Sequence, residues 1–167
     1  MGQMPYVRKE YIPRIPQLRI SKFKLGKASD FDSVFKLIAK KPALIMQEAL
    51  ESARVAANKI LEAELGENNY VLRVVPYPHI ICREHKMLAM AGADRVSKGM
   101  KKAYGKPVTL AARIDAGNPV LEVYSKQEYE NVIKKGLKTA ASKLPVETFI
   151  EKEKVKKEEE TSEEPSG

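Results

Sequence analysis

Residues 82–106 read CREHKMLAMAGADRVSKGMKKAYGK, and this segment constrains the fold more than any other. Basic residues and glycines crowd a stretch that cannot continue as a regular element, yet the runs on either side, residues 79–83 and 108–114, read as strands. The chain must therefore hold a long irregular loop by both ends on a sheet. A cationic loop of this kind suits contact with a polyanion. It suits a hydrophobic core poorly and lacks the parts of a catalytic site.

The distribution of charge points the same way. The 167 residues carry a formal +8, from 30 Lys and Arg against 22 Asp and Glu. Residues 1–27 hold +6, the 82–106 segment +5 and residues 151–167 −3, which leaves the remainder neutral. Excess charge gathered into two Pro- or Gly-punctuated segments is the footprint of a nucleic-acid binder, whereas a diffuse surplus would only solubilise the surface. The candidate phosphate contacts are Arg8, Lys9, Arg14, Arg19, Lys22 and Lys24 in the first segment. In the second they are Arg83, Lys86, Arg95, Lys98, Lys101, Lys102 and Lys106. Tyr6, Tyr11 and Tyr104 offer rings to stack on bases or pack against ribose.

Along the chain, Pro5, Pro13 and Pro16 favour an extended arm over a helix, because each removes a donor and restricts the residue before it. The partial alternation of residues 18–25 predicts an edge strand ended by Gly26, and residues 34–39 a second short strand. Residues 41–65 predict a helix with Pro42 in its first turn and Gly66 as its C-terminal cap. Its apolar stripe is Ile45, Ala49, Ala53, Ala56 and Ile60, with Met46, Leu50 and Ala57 beside it; this is core packing. Residues 70–75 and 79–83 read as strands. Residues 108–114 and 120–124 read as a hairpin joined by the Gly117-Asn118-Pro119 turn. Ser125 and Glu128 have capping-box spacing, so a second helix should start there and run to about Ser142, burying Tyr129, Val132, Ile133, Leu137 and Ala140. Residues 146–150 complete the strands. The expected fold is α+β, an antiparallel or mixed sheet with two helices packed on it, a long basic loop between strands and an extended N-terminal arm. Its parts are an arm with the first strand (1–27), a body (28–150) containing the 84–106 loop, and a disordered acidic tail (151–167).

Other chemistry finds little support. His79, Cys82 and His85 lack a fourth ligand and a paired spacing, so no metal or other cofactor is expected. A lone strand cysteine is a buried small hydrophobe more often than a nucleophile, so a thiol or metal-dependent hydrolase is a weak rival. Glu84 and Asp94 each sit beside an Arg and read as loop-shaping ion pairs. Gly92, Gly99 and Gly105 match no phosphate-cradling loop. One cysteine forbids an internal disulfide and fits a reducing cytosol. No apolar run approaches the roughly 18–20 residues of a membrane span, and no small-molecule substrate is implied.

The words PHIICRE-HKMLAMAGADRVSKGMKKAYGKP-VTLAARI carry a specific resemblance. With Lys86-Met87, Ala91-Gly92-Ala93-Asp94-Arg95, Gly99-Met100 and Ala111-Ala112-Arg113, the chain resembles the archaeal and eukaryotic large-subunit ribosomal protein L-ten-e, counterpart of bacterial protein L-sixteen. The arm word YVRKEYIP and the helix word EALESARVAANK match as well, so the likeness spans about residues 5–150. It implies a non-enzymatic, cytoplasmic constituent of the large ribosomal subunit. The implied partners are large-subunit rRNA, neighbouring ribosomal proteins, and tRNA near loop 84–106, which would point towards the peptidyl transferase centre. Arg83 matches the family's arginine at the loop base. His85 stands where Asn is usual, and Thr109-Leu110 where Gly-Thr is common. An extraribosomal RNA-binding paralogue that regulates translation is the alternative.

Overall fold

A computed structural model describes residues 6–7, 9–28, 31–84 and 105–154. The elements, in order, are β1 (Tyr6–Val7), β2 (Lys24–Leu25), β3 (Ser33–Ala39), β4 (Ala43–Met46), α1 (Gln47–Leu65), β5 (Tyr70–Val74), β6 (Ile80–Glu84), β7 (Lys106–Ile114), β8 (Pro119–Ser125), α2 (Glu130–Ala141) and β9 (Thr148–Lys154). The class is α+β. Among the described residues all strand pairing is antiparallel and is divided between a four-stranded sheet, β1-β6-β7-β4, and a five-stranded sheet, β2-β5-β8-β3-β9.

Side-chain alternation shows which face of the larger sheet is covered. One cross-strand row reads Leu25, Leu72, Val123, Phe35 and then Lys152, whose ammonium lies 5.7 Å from the Phe35 ring centroid. The next row, on the opposite face, is charged throughout: Lys24, Arg73, Glu122, Lys36 and Glu151. The apolar row packs into the core with Leu50, Ala53, Ala57 and Leu61 of α1 and Ile133, Leu137 and Ala140 of α2. Gly136 lies where the two helices meet, and a Cβ there would make ordinary contact with Leu61 at 3.5 Å.

Several sequence expectations need correction. The 41–65 helix starts at Gln47, because the apolar run Ala43–Met46 pairs with 111–114 of β7 as a strand. A short apolar run of this kind fits either period, and here the open side of β7 decides. The buried face of α1 turns accordingly to Gln47, Leu50, Ala53, Arg54, Ala57, Leu61 and Leu65. Gly66 does end the helix, with φ +73° and its N–H donating to the Glu62 carbonyl. The expected edge strand shrinks to Lys24–Leu25, and residues 12–23 form neither helix nor strand.

The expected hairpin does not form. β7 belongs to the smaller sheet and β8 to the larger, and the turn between them bonds to the end of β3 instead. Gly117 N–H donates to the Ala39 carbonyl at 2.9 Å, and Ala39 N–H donates to the Asn118 carbonyl at 3.1 Å. Ser125 is not a helix cap either; its hydroxyl donates to the Asn69 carbonyl at 2.7 Å, and the chain enters α2 through a 3-10 turn, Gln127–Tyr129. The last strand runs on through Lys154, past the residue 151 boundary expected for the tail, because Glu151, Lys152, Glu153 and Lys154 pair with β3. Residues 155–167 lie outside the described residues.

Candidate nucleic-acid interface

Both charged segments meet on the smaller sheet. β6 and β7 form the root of the 84–106 loop, with Glu84 opposite Lys106 and Arg83 opposite Pro107. A bulge between Cys82 and Arg83 interrupts the register, and Pro107, which has no N–H to give, is accommodated beside it. The arm begins on the far edge of β6, where Tyr6 pairs with Cys82 and Val7 with Ile81. It passes through a 3-10 turn at Lys9–Tyr11 and comes beside the start of β7, where residues 14–17 and 19 share a cleft with residues 106–108.

This open cleft of about 720 Å³ is lined by Arg14, Ile15, Gln17 and Arg19 of the arm and by Lys106 and Val108 of β7. Three of the predicted cations, one of them from the second segment, therefore share one concave surface. Pro16 and Pro107 stiffen its two walls.

A buried polar cluster fixes the arm there. Gln47, the fully buried first residue of α1, accepts a hydrogen bond from the Arg19 N–H at 3.0 Å on its side-chain oxygen. Its amide nitrogen donates to the Gln17 carbonyl at 3.3 Å and to Thr109 Oγ1 at 3.2 Å. The Thr109 hydroxyl donates in turn to the Glu48 carboxylate, at 2.7 and 2.9 Å, and Glu48 lies 3.5 Å from the Arg19 guanidinium. Every polar atom of the Gln47 side chain is engaged, as burial demands. Further along the arm, Ser21 Oγ donates to Glu51 and accepts from Arg54, while Arg54 forks onto the Glu51 carboxylate. The Arg54 hydrogen bond holds the Glu51 carboxyl below its ordinary pKa, and Glu51 raises that of Arg54.

Not every predicted residue joins the cleft. Lys9 and Tyr11 lie on the arm's turn, Tyr11 being 72% exposed. Lys22 is exposed beyond the cluster, and Lys24 sits on the edge of the other sheet, opposite Arg73. Arg83 is half-buried in β6. Arg8, Lys86, Arg95, Lys98, Lys101, Lys102 and Tyr104 lie outside the described residues. Gln47 and Glu48 are not among the residues that the sequence pattern singles out, and Thr109 stands out there only as a departure from the resemblance; the available signal for the cluster was a Gln at an inward helical position. Cys82 is buried in β6, and burial, then the nearby Glu48 charge, pushes its thiol above the ordinary value. Exposed His79 has its Nδ1 3.0 Å from the Tyr77 carbonyl oxygen, and among the described residues no three His, Cys, Asp or Glu side chains gather to hold a metal. Among the same residues, no helix is long and apolar enough to cross a membrane.

The fold and the cleft define a class: a basic α+β protein in which cations of the N-terminal arm and of the loop root, Arg14, Arg19 and Lys106, line one cleft. Residues 2–151 match the family model described as ribosomal protein L16p/L10e. Among curated relatives, the large ribosomal subunit protein uL16 of Staphylothermus marinus is 46% identical over 147 residues, 87% of this chain and 84% of that protein. The uL16 of Archaeoglobus fulgidus is 44% identical over 91% of this chain and 88% of its own length, and that of Thermofilum pendens 46% over 89% of each. The chain belongs to the ribosomal protein L16p/L10e family. It is accordingly a structural protein of the ribosome's large subunit, at work in the cytoplasm, and not an enzyme.

Proposed function

We propose that this chain binds large-subunit rRNA through the arm and the loop root together, and that loop 84–106 helps position tRNA near the peptidyl transferase centre. The observation that carries the reading is the shared cleft lined by Arg14, Arg19 and Lys106, beside which Gln47 holds the Arg19 backbone. The cations that line this cleft, Arg14, Arg19 and Lys106, are held on one surface, which lowers the entropy cost of meeting phosphates. Arginine in such a cleft can grip a phosphate bidentately, and lysine supplies a point charge. The same side chains offer no acid–base pair, so any effect on translation comes from placing RNA. The family to which the chain belongs supports the ribosomal setting, and the basic residues at 86, 95, 98, 101 and 102 support a polyanion at the loop.

The test is incorporation. The tagged chain, expressed in place of the native copy, should sediment with the large subunit at physiological salt. Chemical footprints on rRNA should weaken when Arg14 and Lys106 are both replaced by Gln. Persistent absence from large-subunit fractions, or footprints indifferent to the double replacement, would overturn the proposal.

A further inference from the structure

A second feature lies away from the cleft, at the β2 edge of the larger sheet. Phe23 and Tyr77 stack with ring centroids 5.5 Å apart and planes 23° apart. Tyr77 is nevertheless 58% exposed, so Phe23 supports one side of its ring while much of the rest faces water. The backbone beneath is fixed. Pro78 restricts the dihedrals of Tyr77 before it, Pro76 fixes its own φ just upstream, Val74 N–H donates to the Phe23 carbonyl at 2.8 Å, and His79 Nδ1 lies 3.0 Å from the Tyr77 carbonyl oxygen. An aromatic surface held in one pose in water has its ordering cost already met.

Charge at the same edge is the independent observation. Lys24 and Arg73 are directly opposed on β2 and β5, and both are exposed. Like charges so placed destabilise a sheet. Glu122, 3.9 Å from Arg73, offsets one of the two, and Lys22 adds a further exposed cation on the other side of Phe23. Phe23 directly precedes Lys24, the first residue of the edge strand β2, so an aromatic surface and a cationic one meet at a single rim.

We infer that the Tyr77–Phe23 stack is a platform for one unpaired base of an RNA strand, whose phosphates pass round the β2 edge to Lys24 and Arg73. A π-face accepts any base, so the platform selects for unpaired nucleotides and not for sequence. This rests on the RNA-binding proposal and adds a site outside the arm–loop cleft, specific for single-stranded structure.

The chain contains no Trp, so Tyr77→Trp installs a sole fluorophore at the platform. The full chain carrying it is titrated with a short unstructured oligoribonucleotide and with a blunt RNA duplex, while anisotropy of end-labelled RNA reports binding separately. Quenching by the single strand and not by the duplex is expected. Tyr77→Ala should weaken single-strand binding about tenfold, Tyr77→Phe should retain it, and neither should change duplex binding. RNA binding seen by anisotropy with no quenching, or an effect of Tyr77→Ala equal for both RNAs, overturns the platform and leaves the cleft intact. Failure of both RNAs to bind at low salt overturns the platform and the RNA-binding proposal together.

Discussion

The Gln47 side-chain amide donates to the Thr109 hydroxyl at 3.2 Å, joining the first residue of α1 to the loop-root strand β7 while its oxygen holds the backbone of Arg19. Through these bonds the arm and the loop root behave as one body. Thr109 closes this cluster with a bond to Glu48.

Replacing Gln47 with Leu should therefore loosen the arm. The change fills the space but leaves the Arg19 N–H and the Gln17 carbonyl without their partner, a loss of roughly 1–3 kcal/mol. A lowered urea midpoint together with faster hydrogen exchange at the Arg19 amide is expected. Unchanged exchange there would mean that the arm is held by other contacts.

If the cleft neutralises phosphates, Arg14→Gln combined with Lys106→Gln should reduce the slope of log K against log salt by about 1.4, some 0.7 per contact for single-stranded RNA. Titrations of wild type and variant across a salt series measure this directly. Parallel lines would assign the phosphate contacts elsewhere.

Two glycines should respond oppositely to Ala. Gly26 has φ +90°, and a Cβ there would lie 2.0 Å from the Tyr70 carbonyl oxygen, so Gly26→Ala should cost roughly 3 kcal/mol or more. Gly136 is helical, and its Cβ would meet Leu61 at an ordinary 3.5 Å, so Gly136→Ala should stabilise by about 1 kcal/mol. Thermal melts of both variants check the pair.

Glu130 gives the chain a pH signature. Hydrogen bonds from Lys134 and then Lys152, at 2.6 and 2.5 Å, lower its pKa from an ordinary 4.5 to about 2. The folded value is depressed, so the contribution to stability is fully present above about pH 4.5 and is lost as pH falls towards 2. In Glu130→Gln the difference in urea midpoint from wild type should be constant above that window and shrink within it. A difference independent of pH would show that the carboxylate is not tethered to these lysines.

Much of this molecule is legible in its residues. Charge confined to two segments, the breaks at Gly26 and Gly66, and the strands at 70–75 and 108–114 follow from local chemistry, because period, glycine conformation and charge act over a few residues. Partner choice does not. The run Ala43–Met46 satisfies helix and strand alike and becomes a strand only because β7 has an open side. The Gly117 turn looks like a hairpin until the end of β3 takes its hydrogen bonds. Ser125 has the spacing of a cap, but the Asn69 carbonyl claims its hydroxyl.

The sequence by itself determined the class of the fold, the family and the two cationic segments. Only the tertiary structure decided that Arg14 and Arg19 would line one cleft with Lys106, beside a buried Gln47 that bonds the arm to β7 across long stretches of chain. Local propensity cannot specify such long-range bonds, because several partners satisfy the same donor until packing removes all but one.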